Sequence, residues 1–511
     1  MSLNARDWIE YHAKNTPDKI AMIDLMSKRS YSYAQTHERV ARVAGFLHSK
    51  GIKKGDRVAF LCLNTTDVME LIFGCWRIGA VCLALNFRLT PNELAFILND
   101  SETSLVLVDK PFENVGKETK LLTNVKHWID TDGLGGLSGY EIGISSSKPL
   151  YEFTEQSYDD QCLLMYSSGT TGMPKGVIIT HGMLEFTISS TARLPDTGPH
   201  QVSLNNMPLF HIGGLNVTAL PSLAVGGTCV IMRLFDPSAT LDAINDPGLG
   251  INLIFMVPAA YNAMKENPRI DNIDFSRIIT ALCGAETVPI PLCEWWLKKG
   301  VVIQEGYGLT ETAAGGTFLS KEYIPQMIGS AGKALMHTQV RIVDDNGNTC
   351  PHNVSGEIWF KGNAVTPGYW RNPEANKKSF VDGWFRTGDI GRMDSNGFVF
   401  IEDRLKDMYI SGGENVYPAE IENLLYAMPQ IHEVAVIGVS HKRFGETGCV
   451  CAVLKENENL TLKEVLHHLE DKLANFKKPK YLHLMDELPR GGTGKVLKYE
   501  LRQTIPQLIE L

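Results

Sequence analysis

Gln161-Cys-Leu-Leu-Met-Tyr-Ser-Ser-Gly-Thr-Thr-Gly-Met-Pro-Lys-Gly176 is an apolar run that breaks into a turn rich in glycine and hydroxyls. The first half reads as a buried strand. In the second half, Ser167, Ser168, Thr170 and Thr171 supply hydroxyl donors, Gly169 and Gly172 let backbone N–H groups approach an anion, and Lys175 adds positive charge. A strand that ends in such a cradle is built for polyphosphate. The Walker A pattern is absent, because no Gly-Lys-Ser/Thr end follows the first glycine at the required spacing. A different ATP chemistry is therefore expected.

Similar short apolar runs flank this segment: Arg57-Val-Ala-Phe-Leu61, Leu105-Val-Leu-Val108, Thr228-Cys-Val-Ile-Met232, Leu253-Ile-Phe-Met-Val257 and Ile278-Ile-Thr-Ala-Leu282. Helix-like patterns separate them, which predicts α/β layers with largely buried strands. From about Gln339 the texture changes to hairpins. Val340-Arg-Ile-Val343 and Gly356-Glu-Ile-Trp-Phe360 flank an Asn346-Gly347 turn, and Asn396-Gly397 precedes Phe398-Val-Phe-Ile401. After the charged stretch Asp403-Arg-Leu-Lys-Asp407 the pattern restarts. Pro418 opens a helix, Val434–Ile437 and Cys449–Leu454 read as strands, and Leu462–Asn475 reads as an amphipathic helix. The expected fold class is α/β: a large N-terminal domain of α/β layers with a β-rich subdomain (1–404), then a small α+β domain (405–511).

A chain of 511 residues can bury more than one core. Its net charge of −9, with no long Lys/Arg run, argues against nucleic acid or an anionic membrane as the main partner. The apolar stretch Leu71–Leu85 is broken by Arg77 and too short to span a bilayer, so it reads as a buried helix and strand. No signal peptide is read at Met1–Trp8, and the scattered cysteines lack any CxxC pair. Cys449 and Cys451 are expected to point apart. Reduced thiols, no cysteine metal site and a cytoplasmic location follow as expectations.

Further segments of unusual chemistry lie far apart. Pro208-Leu-Phe-His-Ile-Gly-Gly214 sets a histidine beside two glycines, and Gly284-Ala-Glu286 ends a predicted strand. Gln304-Glu-Gly-Tyr-Gly-Leu-Thr-Glu311 carries a ring, a hydroxyl and a carboxylate. Trp384-Phe-Arg-Thr-Gly-Asp389 presents an acid, and Pro489-Arg-Gly-Gly-Thr-Gly-Lys495 ends a glycine loop in lysine. With the phosphate loop, and in this order, these segments resemble the adenylate-forming enzyme superfamily. That superfamily includes acyl-CoA synthetases, luciferase-like enzymes and the adenylation domains of peptide synthetases. The likeness runs from about Trp8 to the end. It looks closest to bacterial medium- and long-chain fatty acyl-CoA synthetases and 4-coumarate–CoA ligases, through Arg404-Leu-Lys-Asp-Met-Tyr-Ile-Ser-Gly-Gly-Glu-Asn-Val-Tyr-Pro418.

The resemblance implies an ATP-dependent acid–CoA ligase. A carboxylate attacks ATP to give acyl-AMP and pyrophosphate, and the CoA thiol then displaces AMP. It assigns Ser167–Lys175, with Ser168, Gly169, Thr170, Thr171 and Gly172, to the phosphates, and Thr170 and Glu311 to Mg²⁺. Thr310 joins Glu311 in the catalytic set. Tyr307 is assigned to the adenine face, with Gly284, Ala285 and Glu286 opposite and Glu305, Gly306 and Gly308 alongside. Asp389 and Arg404 are assigned to the ribose and phosphates. His211 is placed near the reacting carboxylate, and Gly213, Gly214, Gly284, Gly306, Gly308 and Ala313 around the acyl group, where small residues leave room. Lys495 is implied as the adenylation lysine, Lys406 as the hinge of a mobile small domain, and Ser411, Gly412 and Gly413 as the CoA-facing loop. Glu305 departs from the glutamine common at its position, which leaves an amide contact to the nucleotide open.

The segment after His211 offers no acid to balance a substrate ammonium, which disfavours amino acids. A fatty acid is the leading expectation and an aryl or cinnamate-type acid the second. Loading of a separate carrier protein is an alternative to free CoA. The expected partners are small molecules, with no nucleic acid. Peripheral membrane contact and homo-oligomerisation stay open.

Overall fold

The computed structural model describes residues 5–167, 174–192, 196–286, 288–404, 407–411, 414–441, 444–470, 472–473, 475–491 and 496–505, with the side chains of 403, 404, 414 and 415 left aside. Two mainly parallel sheets form its first part. The six-stranded sheet runs His127–Thr131, Thr103–Asp109, Arg57–Leu61, Val81–Ala84, Gln161–Ser167 and Lys175–Thr180. Only its last pair is antiparallel. The nine-stranded sheet has a parallel centre that includes Ile303–Tyr307, Thr280–Gly284, Leu253–Met256 and Val202–Asn205, with short antiparallel strands at both edges. Continuous apolar runs form these strands because helices cover both faces.

The helix Thr66–Arg77 lies between the layers and is buried along its whole length. Its N-cap Thr65 accepts from the N–H groups of Asp67 and Val68. Arg77, the charge that interrupts the apolar run, is fully buried and donates to Asp7 at 2.5 Å. Ion pairs also clasp the two sheets together. Arg233, just past the strand Thr228–Ile231, reaches both carboxylate oxygens of Asp109 at 2.7 Å. Arg29, from the turn after Ile20–Asp24, holds Asp67 at 2.7 Å. Asn64 closes the joint: its amide donates to the carbonyls of Met207 and Met232 and accepts from Leu209 N–H.

The β-rich part is a five-stranded antiparallel sheet built on Thr338–Val343, Gly356–Gly362 and Trp384–Met393, with Phe380–Val381 and Val399–Arg404. Both Asn-Gly turns form, with Gly347 and Gly397 at φ +84° and +85°. The last sheet pairs Ile431–His441 with Gly445–Leu454 and adds Tyr409–Ser411, Glu414–Val416 and Tyr481–Leu484. Two expectations fail here. The helix from Leu462 ends at His468 and is capped by Leu469, so it stops well short of Asn475. Cys449 and Cys451 share one buried cluster, because strand residues two apart point to the same face. The mixed α/β large part and smaller C-terminal part agree with the expected fold class.

Candidate active site

The hairpin Gln161–Ser167/Lys175–Thr180 pairs in a register that sets Ser167 directly opposite Lys175. Both ends of the predicted phosphate loop therefore sit at the end of a buried strand pair. Ser168, Gly169, Thr170, Thr171 and Gly172 lie outside the described residues. The segment after Thr366 is stitched along the same hairpin. Trp370 N–H donates to Gly176 O at 2.7 Å, and Ile178 N–H donates to Gly368 O at 3.2 Å. That places Tyr369 beside Lys175, whose Nζ stands 5.3 Å from the ring centroid.

Glu311 enters from the other layer. The strand Ile303–Tyr307 gives way to a short 3-10 turn, Thr310–Thr312, and then to Ala313 and Ala314, both left-handed at φ +49° and +65°. This bend carries the Glu311 backbone to Thr366, whose N–H donates to Glu311 O at 2.7 Å. The Glu311 side chain is 8% exposed and accepts from the Tyr369 hydroxyl at 2.9 Å. Thr310 begins the same turn. Two residues far apart in sequence, Lys175 and Glu311, thus meet across one tyrosine.

At the strand ends expected to face the nucleotide, Gly284 pairs with Gly306 across adjacent strands. A Cβ on Gly284 would stand 2.4 Å from Gly306 O, so the pairing demands glycine there. Ala285 follows at φ +71°, a strained turn at the strand end. Tyr307 is buried, and its hydroxyl donates to Asp389 Oδ2 at 2.7 Å. Asp389 sits where the strand Trp384–Met393 bulges. Its N–H donates to Thr387 Oγ1 at 3.0 Å, and its backbone pairs opposite Arg404. Glu286 lies close enough to Tyr426, of the C-terminal part, to help burial raise that phenol's pKa.

Glu305 is buried, and desolvation pushes its carboxyl from 4.5 to about 8. At neutral pH it is a neutral acid with one O–H donor and one acceptor oxygen, like the amide it replaces. The departure from glutamine is therefore small in charge.

His211 immediately precedes a helix that begins at Ile212 and continues as the π-helical segment Gly214–Ala219, a distortion frequent at functional sites. Gly213 N–H donates to His211 Nδ1 at 3.1 Å, which leaves the proton of the neutral ring on Nε2. The small residues around it serve two different ends. At Gly214 and Gly308 a Cβ would press within 2.2 and 2.3 Å of carbonyl oxygens, so glycine permits close backbone packing rather than space. At Gly213 it would crowd His211 and Phe255 at 3.2 Å. At Gly306 nothing lies nearer than 3.9 Å. Ala313 is fully buried, and its carbonyl accepts from Asn216 at 2.7 Å.

Lys406, Gly412, Gly413, Lys495 and the Arg404 side chain lie outside the described residues, whereas Ser411 is buried in its strand. Tyr369 and Asn216 were missed by the sequence reading. Tyr369 follows Pro367-Gly368, a turn signal with no chemistry of its own, and Asn216 sits within an apolar helix. Among the described residues no cluster of three or more His, Cys, Asp or Glu forms a metal cage. Glu311, a buried oxygen donor beside the hairpin expected to hold phosphate, fits Mg²⁺, which takes one or two carboxylates and completes its shell with phosphate and water.

The model of the AMP-binding enzyme family matches residues 9–370, and that of the AMP-binding enzyme C-terminal domain matches residues 420–495. The chain is 39% identical to a feruloyl-CoA synthase of Amycolatopsis sp, over 92% of this chain and 93% of that one. It is 34% identical to a long-chain-fatty-acid–CoA ligase of Mycobacterium tuberculosis, over 98% and 99%. The solved structure of o-succinylbenzoate coenzyme A synthetase from Bacillus subtilis, in complex with ATP and magnesium ion, superposes with a TM-score of 0.87 at 31% identity, covering 99% of each chain. The chain belongs to the AMP-binding enzyme family and is an ATP-dependent acid–CoA ligase of the adenylate-forming superfamily.

Proposed function

We propose that this ligase activates an aromatic acid with a polar ring substituent. The observation that carries the reading is Asn216. Its side chain is 1% exposed and its amide N–H is spent on Ala313, yet its Oδ1 has no hydrogen-bond partner among the described residues. Thr187 Oγ1, against Gly315, is in the same position. Buried acceptors of this kind are costly unless something donates to them. A ring hydroxyl supplies a donor; a plain alkyl chain does not. The name of the feruloyl-CoA synthase relative supports the same class. The second reading is a fatty acid, favoured by the room for a side chain at Gly306, where a Cβ would meet nothing nearer than 3.9 Å, and by the fatty-acid ligase relative.

The reaction uses ATP, Mg²⁺ and CoA. The carboxylate oxygen attacks the α-phosphorus, an acyl–phosphate bond forms, and pyrophosphate leaves. The CoA sulfur then attacks the acyl carbon and AMP leaves. In this reading Lys175 and the hairpin loop hold the outer phosphates, and Glu311, with Thr170, faces Mg²⁺. When bound, the ion neutralises charge on the phosphate oxygens. Tyr307 and the Gly284–Glu286 loop flank adenine, and Asp389 accepts from the ribose hydroxyls with Arg404 near. His211 orients the carboxylate from Nε2. Lys495 compensates charge as it passes between carboxylate and phosphate. The small domain then turns about Lys406 and brings the Ser411–Gly413 loop to the acyl-adenylate. We place the domain boundary at 404/405. The free thiols, and the need for ATP and CoA, fit a cytoplasmic setting.

The test is pyrophosphate release and CoA-ester formation, read by mass spectrometry, across ferulate, 4-coumarate, benzoate, octanoate and palmitate. A maximum on the hydroxylated aromatic acids supports the reading. A maximum on octanoate or palmitate replaces it with the fatty-acid one. Pyrophosphate without a CoA ester points to a carrier-protein acceptor.

A further inference from the structure

The buried carboxylate of Glu311 and the ammonium of Lys175 come from different layers, and a single side chain stands between them. Tyr369 is 6% exposed. Its hydroxyl donates to Glu311 Oε1 at 2.9 Å, and the face of its ring lies 5.3 Å from Lys175 Nζ. Its backbone is fixed on both sides. It bridges to Val177 of the phosphate hairpin, and its N–H donates to Asn376 Oδ1 at 2.7 Å. Ser379, at the end of the helix Pro373–Ser379, stands near the phenol and offsets part of the rise in its pKa that burial and Glu311 cause. Thr366 locks the approach, donating from N–H to Glu311 O and from its hydroxyl to Ile178 O at 2.6 Å. The segment 366–370 thus ties the hairpin that carries the phosphate loop to the turn that carries the acid.

We propose that Tyr369 is a positioning residue for adenylation: its hydroxyl sets the Glu311 carboxylate and its ring sets the Lys175 ammonium, so that the groups facing metal and phosphate are held in one geometry before Mg·ATP arrives. The physical need is specific. A glutamate has three side-chain torsions, and a carboxylate free to swing must be ordered at the moment of binding. One charge-assisted hydrogen bond removes that freedom in advance. The phenol directs its proton at one carboxylate oxygen. The aromatic face attracts the lysine without neutralising it, as a carboxylate partner would. The role needs no contact between Tyr369 and the reacting atoms. It rests on the assignment of Glu311 and Lys175 to metal and phosphate given above, and it concerns the first half-reaction alone.

The experiment uses the full chain and Tyr369→Phe, which keeps the ring beside Lys175 and removes only the hydroxyl. Mg·ATP, Mn·ATP and AMP binding are each measured by titration calorimetry without acid, and Mn²⁺ bound in the nucleotide complex is followed by electron paramagnetic resonance. Pyrophosphate exchange and thioester formation from supplied acyl-adenylate report the two half-reactions. A hydrogen bond to a charged group is worth about 1.5–3 kcal/mol, which converts to about a tenfold effect or more. We expect metal–nucleotide binding and pyrophosphate exchange to weaken by about that factor, an altered Mn²⁺ signal, and unchanged AMP binding and thioester formation. Tyr369→Leu, which also strips the ring, should weaken Mg·ATP further. Unchanged Mg·ATP binding in Tyr369→Phe would overturn the proposal, and so would a parallel loss in AMP binding and both half-reactions, which marks a general disturbance of the fold. Because the binding measurements need no acid, they decide the role of Tyr369 even if every acid tested with the wild-type enzyme fails to give a CoA ester, an outcome that counts against the substrate reading alone.

Discussion

Glu305→Gln exchanges a buried acid for a neutral side chain of the same shape, and the structure sets how large the consequence is. Glu305 lies in the strand Ile303–Tyr307, facing the thiols of Cys283 and Cys293, and burial pushes its carboxyl from 4.5 to about 8. Both thiols are themselves pushed up, chiefly by burial, with Glu305 contributing; Glu286 adds to the effect at Cys283. Between pH 4.5 and about 8 the folded chain therefore holds a proton that the unfolded chain has lost. Wild-type stability must fall as pH rises through that window, because unfolding releases this proton. At 1.36 kcal/mol per pH unit, the cost of the charged form grows from about 1 kcal/mol at pH 5 to about 3 at pH 7 and about 5 at pH 9. Glutamine has no such cost. The variant should match wild type closely at pH 5 and gain on it steadily toward pH 9, by ~4 kcal/mol across the range. Thermal unfolding of both proteins at pH 5, 7 and 9 reads this as a widening gap in Tm of several degrees. A gap that stays constant with pH, or that widens toward acid, would refute the reasoning and mean that the carboxyl is ionised in the folded chain.

Three further outcomes are expected. Arg233→Met strands Asp109, which is fully buried, and should lower stability by about 3–5 kcal/mol; adding Asp109→Leu should recover part of it, and a loss below about 1 kcal/mol in denaturant midpoints would mean the clasp is not holding the sheets. Lys495→Ala should slow acyl-AMP formation by about a hundredfold or more while thioester formation from supplied acyl-adenylate survives; equal loss in the two half-reactions would end the division of roles. Gly306→Val adds bulk where a Cβ alone would just touch Phe318 and Thr317 at 3.9 Å, and should cut kcat/KM for ring acids by about tenfold or more with ATP binding intact, whereas parallel loss of ATP affinity would move Gly306 out of the acyl pocket.

The relation between the two levels is clearest at the site. The stretch from Ser167 to Lys175 could be read as a phosphate cradle because such a cradle is local: successive N–H groups and hydroxyls have to surround one anion, so the signal is packed into one turn. The strands were readable for a similar reason, since burial on both faces writes continuous apolar runs such as Leu253–Met256. The short helix at Leu462 was overread, because an apolar periodicity continues past the point where the backbone turns at Leu469. The glycines near His211 were read as room. The chain shows that most of them answer to backbone packing, a distinction no sequence carries, because an absent side chain looks the same beside a carbonyl as beside open space.

From its sequence alone this protein declared its layers, a turn rich in glycine and hydroxyls and the family whose ordered segments it shares, because propensity, periodicity and turn chemistry act over a few residues. Only the tertiary structure decided that Arg77 is buried against Asp7, that Tyr369 joins Glu311 to Lys175, that Asn216 brings an unmatched acceptor into the core beside Ala313, and that Glu305 is held as a neutral acid. Each of these depends on desolvation and on groups brought together from elements far apart in the chain. The environment that sets their chemistry is made by residues tens to hundreds of positions away and comes into being only when the layers close.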